Sequence, residues 1–217
     1  MNRWSYSSLS TYKQCPAKYA YAYVSKLPRA SSKAADRGTA LHEEAEMCLL
    51  NPMSPIPDSL SKIGAKIELY RTKRGIPEDT WLLDRNWNPV ENSDSAWIKS
   101  VIDLHYIDEG VLYIRDYKSG REYPTHRDQL ELYSIMGLRK YQEVDRVETS
   151  AVYIDAGNEG AEGGIIRGML PFYIKKWTKD AEEMEADREF APNPGAACKF
   201  CPYKDDSGGP CSAHRNR

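Results

Sequence analysis

Between residues 101 and 118 the chain reads VIDLHYIDEGVLYIRDYK, two runs rich in Val, Ile, Leu and Tyr on either side of Glu109-Gly110. Strand formers in runs this short, separated by a glycine-containing pair, predict a β-hairpin with a two-residue turn. Such a turn sets Asp108 opposite Val111 and carries the register back until Asp103 faces Asp116 and Val101 faces Lys118. Side chains alternate across a strand, so Asp116 and Lys118 share a face, with Ile114 and Leu112 below them.

Elsewhere the apolar period is helical. In SSLSTYKQCPAKYAYAYV, residues Leu9, Tyr12, Tyr19 and Tyr23 fall at near-helical intervals with a break at Cys15-Pro16, which predicts two short helices or one kinked helix. Leu41, Ala45 and Leu49 recur every four residues and predict a helix over 39–50. A Pro-rich connector, NPMSPIPDS, precedes a helix over about 60–73 and a strand over 81–87. After the hairpin, THRDQLELYSIMGLRKYQ predicts a helix capped at Thr125, with Asp128 three places on. Strands over 148–154 and 165–171 flank the glycine-rich AGNEGAEGG, and an amphipathic helix over 173–189 leads into a cysteine-bearing tail. Helices, a hairpin, a helix and further strands in this order predict an α/β layering around a central mixed sheet.

The two aspartates change this picture from architecture to chemistry. Carboxylates directly opposite each other on paired strands stand on the order of 5 Å apart at Cβ and repel. A divalent cation between them removes the conflict, because hard cations take carboxylate and carbonyl oxygens, and the Tyr117 carbonyl lies between the two. The alternative is an exposed Asp116–Lys118 ion pair with little energetic weight.

Composition narrows the class. At 217 residues, 29% charged and 41% hydrophobic, the chain suits one domain with a small appended lobe. No run approaches the roughly 18 apolar residues of a membrane span, and MNRWSYSS lacks a signal peptide's apolar stretch, so a cytoplasmic protein with no membrane contact is expected. A net charge of −2 provides no global field for nucleic acid. Binding would rest on local patches such as Lys62, Lys66, Arg71, Lys73 and Arg74, or Lys175, Lys176 and Lys179, each of which also reads as a solvated helix face. Five cysteines in such a chain argue against a disulfide framework. Cys48, inside AEMCLL, reads as a buried small hydrophobe. Cys15 stands near the start, while Cys198, Cys201 and Cys211 fall in CKFCPYKDDSGGPC.

The order of these motifs resembles a known family. His42 in RGTALHEEAE, Asp103 closing WIKSVID, Asp116-x-Lys118 in IRDYKSG and Gln129-x-x-x-Tyr133 in DQLELY are similar to the RecB-like branch of the PD-(D/E)XK nucleases. SYSSLSTYKQCPAKYAYAYV and FAPNPGAACKFCPY resemble the segments that bracket the nuclease core in iron–sulfur members, AddB-type nuclease domains and the exonucleases of CRISPR spacer acquisition among them. The departures are Ser100, where members commonly have glycine, and the nine residues between Cys201 and Cys211.

The resemblance implies a restriction-endonuclease-like core, a central mixed β-sheet flanked by helices, spanning residues 1–217 as a single nuclease domain. In it, segments 1–35 and 190–217 join in a lobe at a cysteine metal site. It implies that His42, Asp103, Asp116 and the Tyr117 backbone carbonyl hold Mg²⁺ or Mn²⁺, that Asp103, Asp116 and Lys118 are catalytic, and that Gln129 and Tyr133 support the site and contact DNA. Glu46, one turn beyond His42, is left outside the set. Cys15, Cys198, Cys201 and Cys211 suit a [4Fe–4S] cluster, a structural Zn²⁺, or no metal at all, with His214 as a reserve ligand. The expected activity is a metal-dependent DNA nuclease, an exonuclease on single-stranded or frayed ends in recombination, repair or phage DNA metabolism. It would act in the cytoplasm, or in the host's if phage-encoded, and would have room for protein partners in a larger complex. The competing expectation is a catalytically inactive nucleic-acid- or partner-binding module with a structural zinc site, against which the intact acidic set speaks.

Overall fold

The computed structural model describes residues 3–28 and 32–213. The chain divides into two compact units, one running from Lys33 to Lys175, the other combining Trp4–Ser32 with Lys176 onward.

The first unit is built on a five-stranded sheet: β1 (Ile76–Leu83), β2 (Ile98–Asp108), β3 (Val111–Lys118), β4 (Arg146–Tyr153) and β5 (Asn158–Ile166), in that spatial order. Only β3 and β4 run parallel, and α5 (Thr125–Lys140) makes the crossover between them, so the sheet is mixed as expected. Glu109 and Gly110 both take left-handed conformations, φ 48° and 77°, as a two-residue hairpin turn of the favoured hand requires. The hairpin register matches the sequence reading from Asp108↔Val111 to Leu104↔Arg115, then stops one pair short of Asp103 and Asp116.

Alternation across β3 separates two layers. One face carries Leu104, Tyr106, Tyr117 and Val152 against Leu41, Ala45 and Leu49 of α3 (Lys33–Leu50), the 3₁₀ turn Asp58–Ile63, and Ile67 and Tyr70 of α4 (Gly64–Thr72). Cys48 belongs to this core, 3% exposed. The other face packs on α5, where Gly137 lies so close that a Cβ would stand 2.6 Å from Leu112 Cδ2 and 3.4 Å from Ile114 Cδ1.

Several boundaries differ from expectation, each for a local reason. The first strand is Ile76–Leu83 rather than 81–87, because Asp84 Oδ1 accepts the main-chain N–H groups of Asn86 and Asn88, both at 2.8 Å, and turns the chain there. The glycine-rich segment is itself the edge strand β5. At Gly164, φ 151°, a Cβ would lie 2.2 Å from Val147 O, so here glycine marks close approach of two backbones rather than a loop. The strand expected over 165–171 ends at Ile166. Arg167 then gathers Leu138 O at 2.9 Å and Tyr141 O at 2.8 Å, and α6 (Leu170–Ala186) starts. Thr125 is not the cap of α5; Pro124 holds that position, without a side-chain hydrogen bond.

Much of the basic patch on and around α4 is engaged by the protein's own acceptors. Lys66 pairs with Glu159 at 3.1 Å, Lys73 with Asp108 at 2.6 Å, and Arg71 donates to Cys48 O and Ser54 O, both at 2.9 Å.

In the second unit, α1 (Tyr6–Gln14) starts at a reciprocal Ser5–Ser8 capping box and stops at Cys15, whose extended backbone leads into α2 (Pro16–Tyr19) and a π-helical turn, Ala20–Val24. The break at Cys15-Pro16 thus falls where expected. Chain-distant segments hold this unit together. Trp4 stacks on Trp177 at 6.4 Å, Tyr12 donates to Asp187 Oδ2 at 3.0 Å, and Tyr203 donates to Leu27 O at 3.4 Å.

Because α5 rests directly on the sheet at Gly137, Gly137→Val is expected to lower stability by about 2 kcal/mol through overpacking. Urea unfolding followed by circular dichroism measures this, and a midpoint equal to wild type would refute the close-packing argument.

Candidate active site

The ladder fails at the end of the hairpin because a side chain takes a main-chain donor. Tyr117 N–H donates to Asp103 Oδ2 at 2.7 Å, in a buried hydrogen bond. The β1–β2 ladder also skips this point, pairing Pro77 with Leu104 and Asp79 with Ile102. The two residues left between them, Glu78 and Asp103, face each other, and Glu78 takes an αL conformation, φ 49°.

His42, from α3, closes the group. Its Nε2 lies 2.9 Å from the Tyr117 carbonyl and its Nδ1 3.4 Å from Asp103 Oδ2. The ligand atoms of His42, Glu78 and Asp103 all fall within 4.8 Å of one another, and they do so in a cleft that Thr39, Glu46 and Val101 also line. Both ring nitrogens of His42 face acceptors. Burial works to lower its pKa, but the hydrogen bond and charge of Asp103, with the charge of Asp116, outweigh it and lift the pKa to about 9. Burial and the Asp103 charge both raise the Glu78 pKa.

Asp116 is served from the other face. Lys118 Nζ stands 2.5 Å from its Oδ2, and Gln129 of α5 donates from Nε2 to its Oδ1 at 3.1 Å. The Gln129 carbonyl accepts from Lys118 at 3.1 Å, which closes a triangle, and its Nε2 also donates to the Tyr133 hydroxyl at 2.6 Å. The structure therefore brings Asp116, Lys118, Gln129 and Tyr133 together, and His42, Asp103 and the Tyr117 carbonyl together. It does not pair Asp103 with Asp116 across the ladder as the register predicted, since Asp103 has turned to Tyr117 and α3 while Asp116 is held by α5. Burial raises the Asp116 pKa and Lys118 opposes that rise.

The sequence reading missed Glu78. It placed this stretch ahead of the first strand, and nothing in GIPEDTW marks the glutamate; only the sheet register sets it across from Asp103.

These residues fit a divalent cation. Asp116 Oδ2 is buried and receives no hydrogen bond of good geometry, its contact with Lys118 being an ion pair without a directed donor. The carboxylates of Glu78 and Asp103 and the His42 imidazole, gathered within 4.8 Å beside the Tyr117 carbonyl, are donors suited to Mg²⁺ or Mn²⁺.

The model of the PD-(D/E)XK nuclease superfamily matches residues 3–87 and 83–205. This chain belongs to that superfamily. Membership carries hydrolysis of phosphodiester bonds in nucleic acid, with the sheet and helices described above as its scaffold. The chain is also similar to the Gene 69 protein of Mycobacterium phage D29, 23% identical over 91% of this chain and 93% of the relative. A solved protein, SSO0001, superposes over 93% of this chain and 84% of its own with a TM-score of 0.49 and 16% identity. Among the described residues, no helix is long and apolar enough to cross a membrane.

Cys15, Cys198, Cys201 and Cys211 line one cavity in the second unit, and none forms a disulfide. The long gap before Cys211 folds back on itself: Cys211 N–H donates to Tyr203 O and Asp205 N–H to Cys211 O, both at 2.9 Å. Main-chain N–H groups point at two sulfurs, Asn193 to Cys15 and Gly195 to Cys198, each at 3.4 Å. His214 lies outside the described residues.

A cation ligated by His42 must displace a proton held with a pKa of about 9. Calorimetric titration with Mn²⁺ near neutral pH should release about one proton per ion, and the apparent affinity should fall about tenfold per pH unit below that pKa. The metal-free fold follows the opposite sign. The His42 imidazolium stabilises it fully below the unfolded value of roughly 6.5, and that contribution is lost as pH rises through about 9. Absence of proton release would remove His42 from the ligand set.

Proposed function

We propose that the chain is a Mg²⁺- or Mn²⁺-dependent DNA exonuclease acting on single-stranded or frayed ends. Its setting would be recombination, repair or phage DNA metabolism, in the host cytoplasm if phage-encoded; the phage relative is compatible with that setting. The observation that carries this reading is the closed Lys118–Asp116–Gln129 triangle standing beside the His42, Glu78 and Asp103 group. A module that only binds nucleic acid gains nothing from a buried acid with an undirected oxygen and a lysine locked next to it.

His42, Glu78, Asp103, Asp116 and the Tyr117 carbonyl would hold the ion. A divalent cation supplies Lewis acidity and neutralises charge developing on the phosphodiester. The chain's own residues do the remaining work. Asp116 and Gln129 fix the Lys118 ammonium, a compact charge able to orient the attacking water or to stabilise the phosphoryl oxygens. Tyr133, accepting from Gln129 Nε2 at 2.6 Å, holds the Gln129 amide in turn.

The four cysteines would hold a [4Fe–4S] cluster in the unit formed by the two ends of the chain. Their shared cavity and the two N–H···S contacts support this, since main-chain donors to sulfur are a common means of tuning such clusters. Four thiolates also suit a tetrahedral zinc site, which is the alternative occupant.

Lys118→Ala is expected to lower cleavage of end-labelled linear DNA by at least about 10²-fold while Mn²⁺ affinity stays within about threefold. Equal activity in the two proteins would end this mechanism, and cleavage of closed circular DNA at the linear rate would end the exonuclease reading. Anaerobically purified protein should absorb in the visible range, and Cys198→Ser should lose that absorbance and melt earlier. A colourless preparation holding stoichiometric zinc would reverse the choice of metal.

A further inference from the structure

Beside the triangle lies a group of rings, outside the metal site, that reaches from buried Tyr153 to the surface at Tyr123. The segment from Ser119 to Pro124, which follows Lys118 and leads into α5, is pinned at Glu122, whose Oε1 accepts Ala161 N–H at 3.1 Å. With that anchor in place Arg121 and Tyr123 are exposed, Tyr123 to 46%. Arg121 donates from Nε to the Tyr123 hydroxyl at 2.9 Å and lays its guanidinium 5.0 Å from the ring centroid.

His126 meets Tyr123 edge-on, centroids 5.6 Å apart, and lies 5.8 Å from Tyr153. Tyr153 is opposite Lys118 in the β3–β4 register, and His126 precedes Gln129 by three residues on α5, so His126 belongs to the same neighbourhood as the catalytic lysine and feels its charge. Its hydrogen bonds assign its tautomer. Nδ1 accepts the Tyr123 main-chain N–H at 3.4 Å and lies 2.8 Å from the Tyr153 hydroxyl, so in the neutral ring the proton is on Nε2. Burial and the nearby Lys118 charge lower the His126 pKa, with the Glu122 charge opposing, which favours the neutral ring. Among the described residues Nε2 has no hydrogen-bond partner, and His126 as a whole is half-buried, which leaves this N–H available as a donor.

We propose that Tyr123, backed by Arg121, and the Nε2–H of His126 form a subsite for the unpaired end of a DNA strand, a base lying on the Tyr123 ring and the adjoining phosphate accepting from His126. The inference rests on the nuclease reading and names the form of substrate that the site takes. A base must leave its own stack to lie on Tyr123, so the subsite selects frayed or single-stranded ends over a closed duplex. The phosphate contact sets the position of the strand relative to Lys118 without reading its sequence.

The test uses the full chain, with a short fluorescent single-stranded oligodeoxynucleotide and a blunt hairpin duplex as probes. Binding is read by anisotropy with Ca²⁺ in place of Mn²⁺, and cleavage is read separately with Mn²⁺. Tyr123→Leu and His126→Ala should each raise Kd and KM for the single strand about tenfold, leave kcat within about twofold, and leave duplex binding unchanged. Tyr123→Trp and His126→Gln, which retain a ring and a donor, should recover most of the affinity. Tyr123 is exposed, so its variants report even if His126→Ala is poorly folded. Wild-type cleavage with unaltered single-strand affinity in Tyr123→Leu, or an equal loss on both probes, overturns the subsite and leaves the nuclease reading standing. A wild-type protein that binds and cuts neither probe overturns the nuclease reading itself.

Discussion

Tyr117 ties the core of the first unit to its chemistry. Its ring is 1% exposed within the α3–α4 core, its N–H is given to Asp103, and its carbonyl faces His42. A strand residue ordinarily spends its N–H and C=O on neighbouring strands; here both go to side chains. That exchange opens the end of the hairpin by one pair and leaves oxygen and nitrogen ligands facing a shared space. The packing of Tyr117 makes the arrangement stiff, since neither main-chain group can move without pulling a buried ring out of the core.

The electrostatics follow from that opening. Asp103, Glu78 and Asp116 would repel if they shared one unpaired surface, and the fold distributes them instead. α3 meets the first with an imidazole, while α5 meets the last with an amide and holds a lysine beside it. The same two helices are those that cover opposite faces of the sheet, so the layering that buries the apolar residues also delivers the polar ones. Placement within each layer depends on backbone proximity, as at Gly137, where the absence of a side chain lets α5 approach close enough for Gln129 to reach β3.

The second unit illustrates a different economy. Its segments come from the two ends of the sequence, and its organisation depends on aromatic contacts and a few polar ties rather than on a sheet. The unusual spacing before Cys211 turns out to be a closed loop: Gly209 packs against the Tyr203 backbone, where a Cβ would stand 2.3 Å from a carbonyl, and the chain returns its last cysteine to the cavity that holds the other three. Sequence distance between ligating residue types says little about spatial distance when a loop closes on its own hydrogen bonds.

Local rules were enough for much of this protein. Alternation and a two-residue turn determined the β2–β3 hairpin and its register as far as Leu104, four-residue periodicity located α3, and a proline after Cys15 located the break between the first helices. The superfamily was legible through the resemblance of the motif order to known members, not through periodicity. What tertiary structure alone decided is where competing partners pull. Asp103 leaves its expected position because it accepts a main-chain N–H, a glycine-rich stretch becomes a strand because another backbone is close enough to pair with it, and Glu78 enters the site from an edge strand whose limits were misplaced. Each of these turns on a contact between residues far apart in the chain. Periodicity, a property of neighbours, carries no information about such contacts.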